Sequence, residues 1–95
     1  MFMGTASAVV TDEEVIARMK RRQLKRQVWR YRDLGRTIGN IFPSVRQTET
    51  YRRFISAVFD FRAAYKLPKR DFTIAELRDS AVTVYKALKV IAALI

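Results

Sequence analysis

Three Ser/Thr-x-x-Glu/Gln sequences constrain the fold of this chain more than any other feature. They are Thr11 with Glu14, Ser44 with Gln47, and Thr73 with Glu76. In such a capping box the hydroxyl accepts a hydrogen bond from an early backbone N–H of a helix. The Glu or Gln side chain in turn accepts one from the N–H of the cap residue. The three boxes therefore predict three helix starts.

The boxes and two prolines divide the chain into helices. Pro43 and Pro68 lie between the predicted helices, where a residue that cannot donate to a helix ladder is expected. The helices are predicted over about 12–40, about 45–66, and from about 74 to the end. Because neither gap exceeds about eight residues, neighbouring helices should fold back on one another.

We therefore expect an all-α protein, an antiparallel three-helix up-down-up bundle. Residues 1–11 are predicted to be an N-terminal extension, and residues 12–95 a single three-helix domain. A chain of 95 residues is the size of one domain. Because a domain this small buries a limited share of its surface, its core must be thin.

Hydrophobic residues follow the boxes with the spacing of helices that bury one face. The first helix carries Leu24, Val28, Tyr31, Gly35, Ile38 and Phe42. The third carries Ile74, Leu77, Ala81, Val84, Leu88, Ile91 and Ile95. The second has a wider, aromatic arc of Tyr51, Phe54, Ile55, Val58, Phe59, Phe61 and Tyr65. That arc is broader than one bundle seam requires, so we expect something to cover part of it.

The composition argues against an enzyme. The sequence contains no Cys and no His, which leaves out thiolate nucleophiles, imidazole bases, disulfides and the usual zinc ligands. Its nine acidic residues are scattered, and helix caps or exposed ion pairs explain each of them. We expect no catalytic residues, no metal site and no cofactor of the chain's own.

Neither a secretory signal nor a membrane span is expected. Residues 1–10 are small and apolar without a basic leader, and acids follow them directly. The longest uninterrupted apolar run, 90–95, is far shorter than the ~20 residues that cross a bilayer.

Positive charge is concentrated in the first helix. The chain has 19 Lys and Arg against 9 Asp and Glu, a net charge of +10. Between residues 18 and 36 Asp33 is the lone acid among Arg18, Lys20, Arg21, Arg22, Lys25, Arg26, Arg30, Arg32 and Arg36. Like charges three and four residues apart repel each other along a helix. The pattern therefore predicts an acidic partner, with a solvated basic face as the alternative.

One segment of this helix resembles a known signature. Tyr31-Arg32-Asp33-Leu34-Gly35-Arg36, followed by Phe42-Pro43, is similar to the motif of the LYR-motif (complex 1 LYR-like) family of mitochondria. The likeness extends from about residue 24 to 89, through Tyr51-Arg52-Arg53-Phe54, Phe61-Arg62, Lys66-Leu67, the apolar positions 74–77 and those of 81–88. Two features depart from the family: Arg30 stands where the family has Leu, and the interval between Arg36 and Phe42 differs slightly.

The resemblance implies a function. LYR-type proteins are small, basic three-helix accessory or assembly subunits of large mitochondrial machines, including respiratory complexes, iron–sulfur assembly complexes and ribosomes. Many bind the acidic acyl carrier protein, whose acylated phosphopantetheine arm threads between the three helices. For this chain the resemblance implies a non-catalytic subunit of a respiratory, ATP synthase or ribosomal complex. It also implies location in the mitochondrial matrix or on the matrix face of the inner membrane.

The resemblance further implies two sets of site residues. Docking of the acyl carrier protein would involve Tyr31, Arg32, Arg36, Arg52, Arg53, Arg62 and Lys66. The slot for the acyl chain would be lined by Val28, Tyr31, Ile38, Phe54, Val58, Phe61, Ala81, Val84 and Leu88. The acyl-phosphopantetheine would come from the partner, and burial stabilises by ~0.8 kcal/mol per methylene. Residues at this spacing also form an ordinary core without any lipid, and that alternative stays open.

Two further interactions are predicted. From Ala87 to Ile95 the last helix is apolar on nearly every face except at Lys89, so we expect it to contact other subunits of a complex. An exposed apolar end is the alternative. A different class of function, an RNA-binding subunit of a ribonucleoprotein, would use the arginines to hold phosphates and Trp29, Tyr31 and Tyr51 to stack bases. The sequence lacks a recognisable reading motif for nucleic acid.

Overall fold

The computed structural model describes residues 12–67 and 73–95, with side chains described from residue 19 onward. All regular secondary structure in these two ranges is helical, which confirms the all-α prediction. The helices are α1 (Asp12–Ile41), α2 (Pro43–Arg46), α3 (Glu49–Lys66) and α4 (Ile74–Ala92). The described residues thus contain four helices, where the sequence predicted three.

The additional helix α2 overturns the predicted cap at Ser44. Pro43 occupies the first position of α2, where its fixed φ suits a helix, and Ser44 therefore already lies inside the turn. Phe42 precedes the turn, and no side chain caps it. The single turn ends as the N–H of Gln47 donates to the carbonyl oxygen of Ser44 at 3.3 Å. The predicted pair of Ser44 and Gln47 is therefore wrong as a capping box.

Thr48 caps the helix that was predicted to start near residue 45. Its hydroxyl accepts from the N–H of Tyr51 at 3.1 Å and donates to the carbonyl oxygen of Val45 at 2.6 Å. One hydroxyl thus joins the end of α2 to the start of α3. The second long helix consequently begins at Glu49.

The cap at the start of α4 matches the prediction. Thr73 Oγ1 accepts from the N–H of Glu76 at 3.2 Å, and Glu76 Oε1 accepts from the N–H of Thr73 at 3.2 Å. This is a complete capping box. The predicted box of Thr11 and Glu14 lies outside the described side chains.

The last helix ends earlier than predicted. After Ala92 the last two backbone hydrogen bonds span three residues instead of the four of an α-helix. The N–H of Leu94 donates to the carbonyl oxygen of Ile91 at 2.9 Å, and the N–H of Ile95 donates to that of Ala92 at 3.4 Å. Bonds of this three-residue span are typical of helix ends, where the last carbonyls lack a continuing ladder. The prediction that the helix continues to the chain end is therefore wrong.

The core lies where the three long helices meet. It contains Val28, Val45, Tyr51, Phe54, Ala57, Val58, Phe61, Ala64, Leu77, Ala81, Val84, Leu88 and Ile91. The described part of the chain buries no polar or charged side chain. Three residues of the predicted apolar patterns are exposed. Phe42 follows the end of α1 and is 40% exposed, and Ile95 follows the end of α4 and is 59% exposed. Phe59, from the aromatic arc of the second long helix, is 60% exposed.

Aromatic contacts give the relative placement of the long helices. The rings of Trp29 and Phe61 lie 6.4 Å apart across α1 and α3, whereas those of Tyr31 and Tyr85 lie 5.4 Å apart across α1 and α4. Side chains two positions apart on a helix point about 200° apart, so α1 presents different sides to α3 and α4. Within the described ranges, none of the helices has the length and apolar character needed to cross a membrane.

Candidate functional site

A row of cationic side chains runs along the side of α1 that adjoins α3. Lys25, Trp29, Arg32 and Arg36 recur at steps of four and three and so share one face of the helix. Arg36 is exposed, while Lys25 and Arg32 are half-buried. Like-charged neighbours at these steps destabilise an isolated helix, so the neighbouring helix and any partner must supply the compensation.

The carboxyl end of α3 anchors the start of this row. Arg21 Nη2 donates to the carbonyl oxygen of Tyr65 at 2.7 Å, which satisfies one of the last carbonyls of α3. The Arg21 guanidinium and the Lys25 ammonium lie 4.9 and 5.1 Å from the centroid of the Tyr65 ring. These cation–π contacts hold α1 against α3 at this end.

A second row on α3 runs beside the first. Arg52, Ile55, Phe59, Arg62 and Lys66 recur at steps of three and four, and all but Ile55 are exposed. This row borders the side of α3 whose residues pack on α1, whereas the buried Ala57 and Ala64 lie at the other edge of the core-facing arc. We call the two rows together the basic face: Lys25, Trp29, Arg32 and Arg36 of α1 with Arg52, Ile55, Phe59, Arg62 and Lys66 of α3.

Acids within the fold neutralise only part of the basic face. Arg32 pairs with Asp33 at 3.2 Å, and Arg52 pairs with Glu49 at 3.8 Å. Among the side chains that the structure describes, no acid lies within ion-pair distance of the other four cations of the face, which are Lys25, Arg36, Arg62 and Lys66. The described surface here therefore carries a concentrated positive charge.

Trp29 orders one of these cations. The guanidinium of Arg32 lies 4.8 Å from the ring centroid of Trp29, whose edge in turn packs on Phe61 of the core. A stacked, partly desolvated guanidinium loses less entropy when it binds a carboxylate or phosphate. Arg32 is thus a preorganised donor.

The structure brings together five of the seven predicted docking residues: Arg32, Arg36, Arg52, Arg62 and Lys66. Arg53 is separate, because consecutive helical residues point about 100° apart and Arg53 lies on the far side of Arg52. Tyr31 is also separate, since it stacks on Tyr85 on the α4 side of α1. Four residues of the basic face were not predicted as docking residues, although their spacing from Arg32 and Lys66 indicates that they share the face: Lys25, Trp29, Ile55 and Phe59.

The predicted acyl slot coincides with the core. Val28, Phe54, Val58, Phe61, Ala81, Val84 and Leu88 are buried, and Tyr31 and Ile38 are half-buried against the same cluster. Of the nine, Tyr31 and Ala81 also line an open groove of ≈ 490 Å³ between α1 and α4. The others pack directly on one another as an ordinary core does.

Arg30, at the position where the LYR family has Leu, is exposed. It lies two residues before Arg32 and therefore about 200° around the helix from it. Its charge consequently disturbs neither the core nor the basic face.

The end of α4 leaves part of its apolar surface uncovered. Leu88 and Ile91 are buried, but Val90, Leu94 and Ile95 are each about half exposed. The chain from Ala87 to Ile95 thus contributes one side to the core and presents the other outward.

Among the described residues, no group of His, Cys, Asp or Glu side chains is arranged to hold a metal ion. Comparison of the chain with protein-family models, curated proteins and solved structures found no match.

Proposed function

We propose that this protein is a non-catalytic accessory or assembly subunit of a large mitochondrial complex and that its basic face docks an acidic acyl carrier protein. The observation that carries the proposal is the pair of adjoining cationic rows on α1 and α3, most of whose charge has no described counter-ion. An acidic protein surface supplies that counter-charge. The resemblance to LYR-type proteins indicates that this acidic partner is the acyl carrier protein.

Docking would rest on charge-assisted hydrogen bonds. Arg32, Arg36 and Arg62 would donate to carboxylates of the carrier protein and to the phosphate of its phosphopantetheine arm, with Arg52 and Lys66 at the edge of the contact. Arginine suits this role because its planar guanidinium binds carboxylate and phosphate with two parallel bonds. The exposed ring of Phe59 adds apolar area between the cations.

We also propose that the three long helices form the antiparallel up-down-up bundle expected from the sequence. The order of contacts supports it: Gly39 of α1 faces Tyr51 near the start of α3, while Arg21 reaches Tyr65 near its end. Helices α1 and α3 therefore run in opposite directions. A carrier protein lying across both would contact an early part of one and a late part of the other.

An acyl chain supplied by the carrier protein would enter among the core residues of the predicted slot. Because these side chains pack on one another, insertion requires the long helices to move apart. The burial of each methylene, ~0.8 kcal/mol, would offset the lost contacts. Binding of the long-chain acyl form should therefore be stronger than binding of the form with an unloaded arm.

Native mass spectrometry of the isolated complex tests the proposal. The expected result is a one-to-one complex with a small acidic protein whose mass exceeds that of its apo form by an acylated phosphopantetheine. Recovery of RNA without that mass, with steeply salt-dependent binding, would favour a ribonucleoprotein subunit instead.

A further inference from the structure

The groove between α1 and α4 lies on the other side of α1 from the basic face. Its lining residues include Lys20, Leu24, Ile74, Arg78, Val82 and Tyr85. Its volume of ≈ 490 Å³ is within the range of ~300–1,000 Å³ that is typical of ligand sites. We call it the α1/α4 groove.

The floor of this groove is apolar and part of it is uncovered. Leu24 and Ile74 are half-buried against the core, while Val82 and Tyr85 are 42% and 44% exposed. Tyr85 is held in place by its stacking on Tyr31 at 5.4 Å. Side chains that are ordered and apolar yet open to solvent are typical of a docking surface.

Among the described residues that line the groove, the charges are of one sign. Lys20 and Arg78 are among its lining residues, and none of these residues is acidic. At the far end the ammonium of Lys89 lies 5.7 Å from the centroid of the Tyr85 ring. An occupant that fits this groove is therefore apolar along its centre and acidic along its flanks.

The length of the groove matches a short helix. From Lys20 to Tyr31 α1 rises by about 16 Å, which is three helical turns. A helix in such a groove presents apolar residues at i, i+3, i+4 and i+7 to the floor and its flanks to the rims. A fatty acid fits less well, since it carries one charge at one end and would lie exposed beside Val82.

We propose that the α1/α4 groove binds an acidic amphipathic helix of a partner protein. The α1/α4 groove and the basic face lie on different sides of α1, although the groove shares Tyr31 and Ala81 with the predicted acyl slot. With both occupied, the chain would link two proteins across its first helix.

The binding of two peptides to the whole chain tests this proposal. Both are helical, about 14 residues long, with Leu at i, i+3, i+7 and i+10. One carries Glu at the flanking positions and the other carries Lys. By fluorescence anisotropy the Glu peptide is expected to bind at least about tenfold more tightly than the Lys peptide.

Variants of the chain locate the binding. Val82→Glu is expected to lose binding of the Glu peptide, whereas Ala63→Glu, at another exposed site that lies on α3, is expected to retain it. Lys20→Glu combined with Arg78→Glu is expected to reverse the preference toward the Lys peptide. Circular dichroism of each variant checks that it remains helical.

Several outcomes overturn the proposal. These are equal binding of the two peptides, no binding of either, and binding of the Glu peptide that Val82→Glu leaves intact in a helical variant. Binding of sodium dodecanoate without binding of the Glu peptide would also overturn it and would assign the groove to a lipid.

Discussion

Gly35 of α1 lies against the ring of Phe54 of α3 so closely that a Cβ atom at position 35 would overlap the ring. Phe54 is fully buried and cannot turn outward to make room. One turn later Gly39 faces Tyr51 in the same way, with a hypothetical Cβ 2.9 Å from the Tyr51 hydroxyl oxygen. The two glycines therefore set how closely the basic helix approaches α3.

Replacing Gly35 by Ala should destabilise the fold. Overpacking costs about 1–3 kcal/mol, and the better helix propensity of Ala returns ~1 kcal/mol, so we expect a net loss of up to about 2 kcal/mol. Gly39→Ala should cost less, because the tip of Tyr51 can shift more easily than the buried ring of Phe54. Urea unfolding followed by circular dichroism measures both. A Gly35→Ala variant that is more stable than the parent chain would contradict the close packing of α1 on α3.

The helix caps give a second test. Thr73 is the cap under test, and Ser44, which was wrongly predicted to be a cap, is the matched control. Thr73→Ala should lower the free energy of unfolding by ~1 kcal/mol, because it removes the acceptor for the N–H of Glu76. Ser44→Ala should change it by less than about 0.5 kcal/mol, because that hydroxyl caps no helix. Thermal unfolding of the two variants in parallel makes the comparison. A larger effect at Ser44 would return the start of the second long helix to residue 45.

Two isoleucines near the chain end provide a third test. Ile91 is fully buried and Ile95 is 59% exposed, although the two are equally apolar in sequence. Ile91→Ala should cost about 2–5 kcal/mol, and Ile95→Ala should stay within about 0.5 kcal/mol. Chemical denaturation of the two variants measures the free energy of unfolding that each one loses. Equal losses would show that residues after Ala92 are packed in solution.

The adjacent arginines of α3 test which face docks the partner. Arg52 and Arg53 are similarly exposed and both pair with Glu49, at 3.8 and 3.7 Å, so their local surroundings match. Only Arg52 shares the row of Arg62 and Lys66. Arg52→Glu should therefore weaken binding of acyl carrier protein about tenfold, and Arg53→Glu by less than about threefold. The reverse order in a titration calorimeter would move the docking surface to the other side of α3.

The sequence predicted the helices well because the determinants of helices are local. Proline, a hydroxyl and an apolar repeat lie within a few residues of each other, and the box at Thr73 needed nothing else. The start of the second long helix was missed because Ser44 and Thr48 are both plausible caps. The short helix that begins at Pro43 decides between them, because Ser44 already lies inside it.

The candidate site was only partly predictable for a different reason. Resemblance selected arginines by position, but which of them share a surface depends on which sides of α1 and α3 pack together, as they do at Gly35 and Phe54. The step of about 100° between consecutive helical residues separates Arg53 from Arg52, and Tyr31 from Arg32. The α1/α4 groove was not predicted at all, because Val82 lies outside the predicted apolar stripe and single exposed apolar residues are common on protein surfaces.

The most direct test of the central claim is the affinity of the chain for acyl carrier protein carrying a long acyl chain, measured by titration calorimetry with a charge-reversal pair. Arg32→Glu with Arg36→Glu is expected to weaken binding by about 100-fold or more, since two charge-assisted contacts become repulsive. Arg30→Glu with Lys86→Glu makes the same change of charge at exposed positions away from the basic face and is expected to weaken binding by less than about threefold. Undiminished binding in a helical Arg32/Arg36 variant, or equal losses in the two pairs, would contradict the account.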